Sequence, residues 1–301
     1  MTLQRIGAVG NLATAPPSGA QSPAQAQPVQ YAETDQIPTG LRQPRGIALG
    51  PEGRLYVAGD RKLRVFLAGA FDEEFFLPAI PHCLTLARDG TMYVGFRDYV
   101  GVYDRSGKEQ SKWQPLGLRA YLTALATDGT NVWAADAGDR VMLRYNRQGQ
   151  VLARLGEKGA GGWLPTLEVP SPYLGLAIGA DGMVRLANPG QHTVNLVTAD
   201  DQFRGAWGTA GAAVEDFSGC CNPTNLAMLP DGRVVTSEKG TPRVKIYTPE
   251  GKLDSVVAGP ELFRPETAGL SLAVDRQGRI LVLDRTRRAV RVFERKQEPS
   301  K

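Results

Sequence analysis

Helix-length amphipathic segments are missing from this 301-residue sequence, and so is any apolar run of about 18 residues. The first absence argues against helical and α/β architectures, and the second excludes a membrane-spanning helix. Cysteine is scarce. Three residues, Cys83, Cys220 and Cys221, cannot all pair with one another, so this is no disulfide scaffold. Histidine is scarcer still, with His82 and His192 alone. Phosphate-cradling glycine loops, a nucleophile elbow and paired zinc-ligand motifs are all lacking. A formal net charge of +4 permits a basic face without demanding a nucleic-acid partner.

Glycine and proline, by contrast, are plentiful at 35 and 21 residues, as expected of a chain that turns often. Residues 1–28 are rich in Ala, Gln, Pro, Ser and Gly and read as a flexible or targeting-derived segment. Ala24-Gln25-Ala26 looks like a signal-peptidase site, although the apolar stretch that normally precedes one is missing. An exported domain, periplasmic or membrane-tethered, is expected rather than a cytoplasmic one. Residues 296–301 read as a tail.

Between these ends, six segments repeat one pattern: apolar run, tight turn, apolar run, polar tip, third run. The turn glycines are Gly53, Gly90, Gly129, Gly182, Gly232 and Gly278, four of them preceded by Asp. Asp-Gly between alternating runs signals a hairpin, because Gly supplies the positive φ such turns require. First runs such as Leu122-Thr123-Ala124-Leu125-Ala126 mix small and apolar residues, as strands crowding a central axis must. Third runs such as Val244-Lys245-Ile246-Tyr247 alternate, so each buries one face. A second turn then introduces a fourth strand, for example Ser111-Lys112-Trp113 or Phe203-Arg204-Gly205-Ala206-Trp207.

Four antiparallel strands repeated at about 40 to 50 residues predict an all-β, six-bladed β-propeller over residues 29–295. The sixth unit stops after its third strand at Phe293, while Val29 to Ile37 reads as a lone strand before the first unit. That strand is expected to complete the last blade, leaving no open edge.

The motif Pro44-Arg45-Gly46-Ile47-Ala48-Leu49, followed by a turn glycine, Leu55-Tyr56-Val57-Ala58 and Val65-Phe66, resembles the NHL repeat, whose members form six-bladed propellers. Gly219-Cys220-Cys221-Asn222-Pro223 with Glu238-Lys239-Gly240 looks like a bacterial branch of that family. The resemblance specifies fold far better than function, since NHL-like propellers include protein-binding, RNA-binding and catalytic members. Lactonase and amidating-lyase relatives use metal-binding His or carboxylate and Asn constellations. With two histidines, this chain departs from a His-rich zinc site.

Strand order sorts the polar residues by face. The loops entering each blade and those joining its second and third strands share the face where a propeller's channel usually binds ligand. Tyr121, Asp136, Tyr173, Asn188, Asn222, Glu238, Lys239 and Asp284 are the candidate ligand-binding residues there. Asp136 and Asp284 suit capping of their own turns better than calcium binding, and Glu238-Lys239 suits a surface or inter-blade ion pair better than an acid/base couple.

Cys83, Cys220, Cys221 and His192 are the redox or metal candidates on the same face. Neighbouring Cα atoms lie about 3.8 Å apart, closer than ordinary disulfide separations. On extended backbone the two side chains would point apart, which makes joint metal binding awkward. Burial as a small hydrophobe beside a loop thiol, a vicinal redox pair and a metal site therefore all stand as readings. Arg285, Arg287, Arg288 and Arg291 form a basic cluster without interleaved aromatics, so a solvated rim is favoured over RNA binding.

The expectation is a monomeric, non-enzymatic propeller without a required cofactor, binding a protein partner or small ligand through its channel face. The alternative is a metal- or thiol-dependent redox protein or enzyme.

Overall fold

The computed structural model describes residues 30–156 and 165–296. The expectations for residues 1–28 and 297–301 lie outside the described residues, as does part of the Gly156 to Pro172 connection. Strand β1 (Tyr31–Pro38) comes first and pairs last. Blade 1 holds β2 (Pro44–Leu49), β3 (Leu55–Gly59), β4 (Lys62–Leu67) and β5 (Ala70–Phe76). Blade 2 holds β6 (Cys83–Leu86), β7 (Met92–Gly95), β8 (Val100–Tyr103) and β9 (Glu109–Lys112). Blade 3 holds β10 (Leu122–Thr127), β11 (Asn131–Asp136), β12 (Val141–Asn146) and β13 (Val151–Leu155).

Blade 4 is shorter at its inner edge, with β14 (Leu176–Ile178), β15 (Val184–Asn188), β16 (Thr193–Val197) and β17 (Phe203–Trp207). Blade 5 contains β18 (Asn225–Met228), β19 (Val234–Glu238), β20 (Arg243–Tyr247) and β21 (Leu253–Ala258). Blade 6 contains β22 (Ser271–Val274), β23 (Ile280–Asp284) and β24 (Ala289–Arg295), and β1 supplies its fourth strand. The inner strands of successive blades touch in a closed ring, β22 meeting β2.

The closing strand runs antiparallel to β24, with Tyr31 opposite Arg295 and Ile37 opposite Val290. Tyr31 and Ile37 are buried, and Glu33 takes the fully buried Arg291 guanidinium, Nε donating at 2.8 Å and Nη2 at 2.5 Å. The outer edge of blade 6 is thereby paired rather than open. The supposed solvated arginine rim is therefore divided: Arg291 is interior, Arg285 half-buried, and only Arg287 and Arg288 are exposed.

Each first hairpin turns as its residues dictate. Asp89, Asp181 and Asp231 accept the backbone N–H two residues on, while Gly90, Gly182 and Gly232 take positive φ. The blades are welded by aromatics. Trp113 packs on Tyr145 of the next blade at 4.8 Å, and Trp207 on Tyr247 at 5.0 Å. Each indole presses on a turn glycine of that blade, Gly149 or Gly251, both at positive φ and too close to accept a Cβ.

Two strands differ from the sequence pattern. The fourth strand of blade 2 is Glu109–Lys112, exposed throughout, and the buried Trp113 that dominated the apolar signal lies just beyond it. Blade 1 forms its fourth strand from Ala70–Phe76, where Asp72, Glu73 and Glu74 mask the apolar alternation. Among the described residues no helix is long and apolar enough to cross a membrane.

Candidate functional site

The start of β2 brings Arg45, and loops entering the next blades bring His82, Tyr121 and Tyr173, to the mouth of the central channel, where Arg285 joins them from the β23–β24 loop. They surround a cavity of about 120 Å³ that continues down between the inner strands past Cys83 and Ser271. Among the described residues, no Asp or Glu lines it. A larger groove of about 790 Å³ lies by the first hairpin turns of blades 1 and 6, but its walls carry charges of both signs.

The mouth is electrostatically one-sided. Arg285 donates to the Arg45 carbonyl at 2.7 Å, so the two guanidinium-bearing residues are held together. The Nε atoms of both, and Nδ1 of His82, are buried without a hydrogen-bond partner. Burial pushes the His82 imidazole down to about 4, and the charges of Arg45, Arg285 and Arg97 add to that. Burial also lowers Arg285, with Arg45 pressing the same way while Tyr173 and Tyr121 oppose it. His82 packs against Tyr121 with ring centroids 4.6 Å apart. Tyr173 leans against Gly269, whose positive φ and missing Cβ make room for the ring.

The predicted polar candidates divide into two groups. Asp136, Asn188, Glu238 and Asp284 close the second strands of blades 3 to 6, are fully buried, and each commits one side-chain oxygen to the framework, while Asp136 Oδ2, Glu238 Oε1 and Asp284 Oδ2 accept no hydrogen bond among the described residues. Asp136 Oδ1 accepts the N–H groups of Tyr121, Gly138 and Asp139 at 2.8, 2.9 and 3.1 Å. Asn188 accepts from Glu168 N–H, and Asp284 from the N–H groups of Thr286 and Arg287. Glu238 makes neither a surface nor an inter-blade pair: it lies 2.7 Å from both Arg243 and Lys245 of its own blade. The Lys245 contact is close but poorly aligned, an ion pair rather than a hydrogen bond. Asn222 is equally committed, donating to the Ser218 and Lys239 carbonyls and accepting the Lys239 N–H at 2.9 Å. Tyr121 and Tyr173 are the candidates that border the cavity.

The cysteines form two separate environments. Cys83 is buried on β6 in blade 2, and burial raises its thiol far above the ordinary range. Cys220 and Cys221 enter blade 5, on the opposite side of the ring. Their loop is bent, not extended, with Gly219 at φ +78° immediately before it. The two sulfurs therefore face one another at 3.0 Å, contrary to the divergence expected of an extended pair. Lys239 lies beside Cys221 and 6.0 Å from the Tyr173 ring centroid. His192 holds this loop from outside, its Nε2 2.7 Å from the Gly219 carbonyl oxygen. Among the described residues, no three His, Cys, Asp or Glu side chains converge as a metal-ligand set.

Sequence position places Arg285 on the channel face as well as in the basic cluster, whereas Arg45 is not among the sequence candidates. A signal for Arg45 was present. Arg45, His82 and Tyr121 stand two residues before Ile47, Leu84 and Thr123, which share one repeat position relative to the turn glycines. Superposing the repeats would have gathered them.

No protein-family model matches the sequence, and no curated protein matches it. Solved structures do resemble the fold. A streptogramin B lyase superposes with a TM-score of 0.61 at 10% identity, covering 90% of this chain and 100% of that one. A catalytically inactive virginiamycin B lyase from Staphylococcus aureus with quinupristin gives 0.62 at 11%, covering 85% and 82%. A gluconolactonase from Xanthomonas campestris gives 0.62 at 15%, covering 86% and 88%. At these identities the likeness is one of fold.

Proposed function

We propose that this propeller, of NHL-like repeat pattern, is a binding protein for a small carboxylate ligand held at the channel mouth by Arg45 and Arg285. The observation that carries this reading is a cavity bordered, among the described residues, by two guanidinium groups and no carboxylate. Arginine presents a planar set of donors suited to a carboxylate, and partial burial strengthens each charge-assisted contact. Tyr121 and Tyr173 supply aromatic walls, and neutral His82 offers a polar edge. The cavity is smaller than the roughly 300–1,000 Å³ of drug-sized sites, so a carboxylate on a short stem fits better than an extended molecule.

Binding without catalysis is favoured because Asp136, Asn188, Glu238 and Asp284 are engaged in holding their own loops or blades. None of these four borders the cavity. The lyase and lactonase neighbours share the fold, and fold alone does not transfer chemistry.

Titration calorimetry with lactate and succinate, against their uncharged amides, tests the reading. The acids are expected to bind and the amides not. Arg45→Met and Arg285→Met should each weaken binding by about 10- to 100-fold, the value of one charge-assisted contact. Amides that bind as well as acids, or unchanged affinity in both variants, would overturn it.

A further inference from the structure

The Cys220-Cys221 pair stands apart from the cavity and is built from four directions. Gly219 at positive φ bends the chain so that the adjacent sulfurs face one another at 3.0 Å. The Asn222 side chain ties the loop to the Lys239 backbone, and His192 meets the Gly219 carbonyl. Beneath the loop, Glu238 accepts from Ser218, while Lys245 and Arg243 donate to the Asp216 carbonyl. The outcome is an asymmetric dithiol: Cys220 is exposed, whereas Cys221 is 1% exposed.

Two polar groups attend the buried sulfur. One is the Lys239 ammonium. The other is the Ser171 hydroxyl, which is buried, without a geometrically complete hydrogen bond, and beside Cys221. Burial by itself would raise the Cys221 thiol, but Cys220, Lys239 and Ser171 outweigh it and bring the thiol below its ordinary range. Cys220 moves upward, because it hydrogen-bonds Cys221 and would place a second negative charge beside it. The pair titrates as a unit, with its first negative charge favoured on Cys221.

We propose that Cys220 and Cys221 form a thiol–disulfide exchange site for small-molecule disulfides, with Cys220 as the entry thiol and Cys221 as the resolving thiol. Cys220 passes its proton to the facing Cys221 thiolate, 3.0 Å away, and attacks one sulfur of the disulfide RSSR; the S–S bond breaks, and the leaving RS⁻ takes up that proton and restores the Cys221 thiolate. The Cys221 thiolate then attacks Cys220 Sγ in the mixed disulfide and expels the second thiolate. Overall, two protein thiols and RSSR give one protein disulfide and two RSH. The protein pair loses two electrons and two protons, and the small disulfide gains them. Exposure assigns Cys220 to the first step, and proximity together with Lys239 assigns Cys221 to the second.

The test uses the full chain, reduced and then incubated with excess oxidised glutathione, quenched with acid and alkylated. Intact-mass analysis and peptide mapping follow. The wild type is expected to lose both vicinal thiols as a Cys220–Cys221 bond without accumulating a glutathione adduct. Cys221→Ser should trap a stable adduct on Cys220, and Cys220→Ser should form none. Lys239→Met, retaining both cysteines, should prolong the mixed disulfide severalfold, because the Cys221 thiolate loses its neighbouring ammonium. A wild type that retains both alkylatable vicinal thiols would overturn the proposal. So would equal adducts on Cys220→Ser and Cys221→Ser, because exposure would then not select the entry thiol.

Discussion

Replacing Glu238 by Gln removes one negative charge from a cluster that has almost no contact with water. Glu238 and Lys245 are fully buried, and the Arg243 side chain is 10% exposed. Glutamine preserves the volume and one acceptor oxygen, but it leaves two interior cations without a counter-ion. Breaking a buried ion pair in this way costs about 3–5 kcal/mol. For a domain of this size, that lowers the melting temperature by roughly 5–9 °C.

The loss should also depend on pH, with a sign set by Lys245. Burial lowers its ammonium to about 8, and Glu238 is the principal group holding it up. Without Glu238 the folded-state value falls further. A lysine depressed in the folded state makes the unfolded chain bind more protons between that value and its ordinary value of about 10.4, so stability rises with pH there. In the wild type this rise runs from about pH 8 upward; in Glu238→Gln it starts lower. The deficit is therefore largest near pH 6 and narrows by about pH 8, while Arg243, which stays charged, preserves part of it. Urea unfolding of both proteins at the two pH values measures this. A deficit below about 1 kcal/mol at pH 6, or one that widens with pH, would refute the reasoning. Combining Glu238→Gln with Lys245→Met should recover part of the loss, since the pair is coupled.

His82, one of only two histidines, should titrate near pH 4 in NMR spectra, and bound carboxylate should raise that midpoint by offsetting Arg45 and Arg285. A midpoint near 6.5 would mean that the imidazole is neither desolvated nor close to those charges. Deleting residues through Pro38 should abolish cooperative melting and promote self-association on size-exclusion chromatography, because β24 would lose its partner. Glu33→Ala in the full chain should cost about 1–3 kcal/mol in urea unfolding by removing the two-point partner of Arg291, which keeps the Leu262 carbonyl and the Asp284 carboxylate, and unchanged stability would remove that ion pair from the account.

The repeat is a local phenomenon, which is why it could be read from sequence. Asp89-Gly90, Asp181-Gly182 and Asp231-Gly232 form their turns through contacts two residues long, and the runs around them alternate with the pleat. The missing fourth strand of the last unit, together with the spare strand before the first, also implied ring closure by strand counting. The alternation itself is obscured at the outer strand of blade 1 by its carboxylates, and the strand ends one residue before Trp113 in blade 2, where that indole is buried against Tyr93 and against Tyr145 of the neighbouring blade.

The candidate site was less legible because polar residues on one loop face can point in opposite directions. Asp136, Asn188, Glu238 and Asp284 share the channel face by topology, yet buried backbone N–H groups and cations claim one oxygen of each. Arg285 and Arg291 are six residues apart, but one turns to the channel and the other to Glu33, 258 positions away. Sequence alone determined the blades, their number and the face on which the cysteine pair would lie. Tertiary structure decided which charges meet and that the two sulfurs converge, because desolvation and side-chain direction depend on neighbours contributed by other blades and loops.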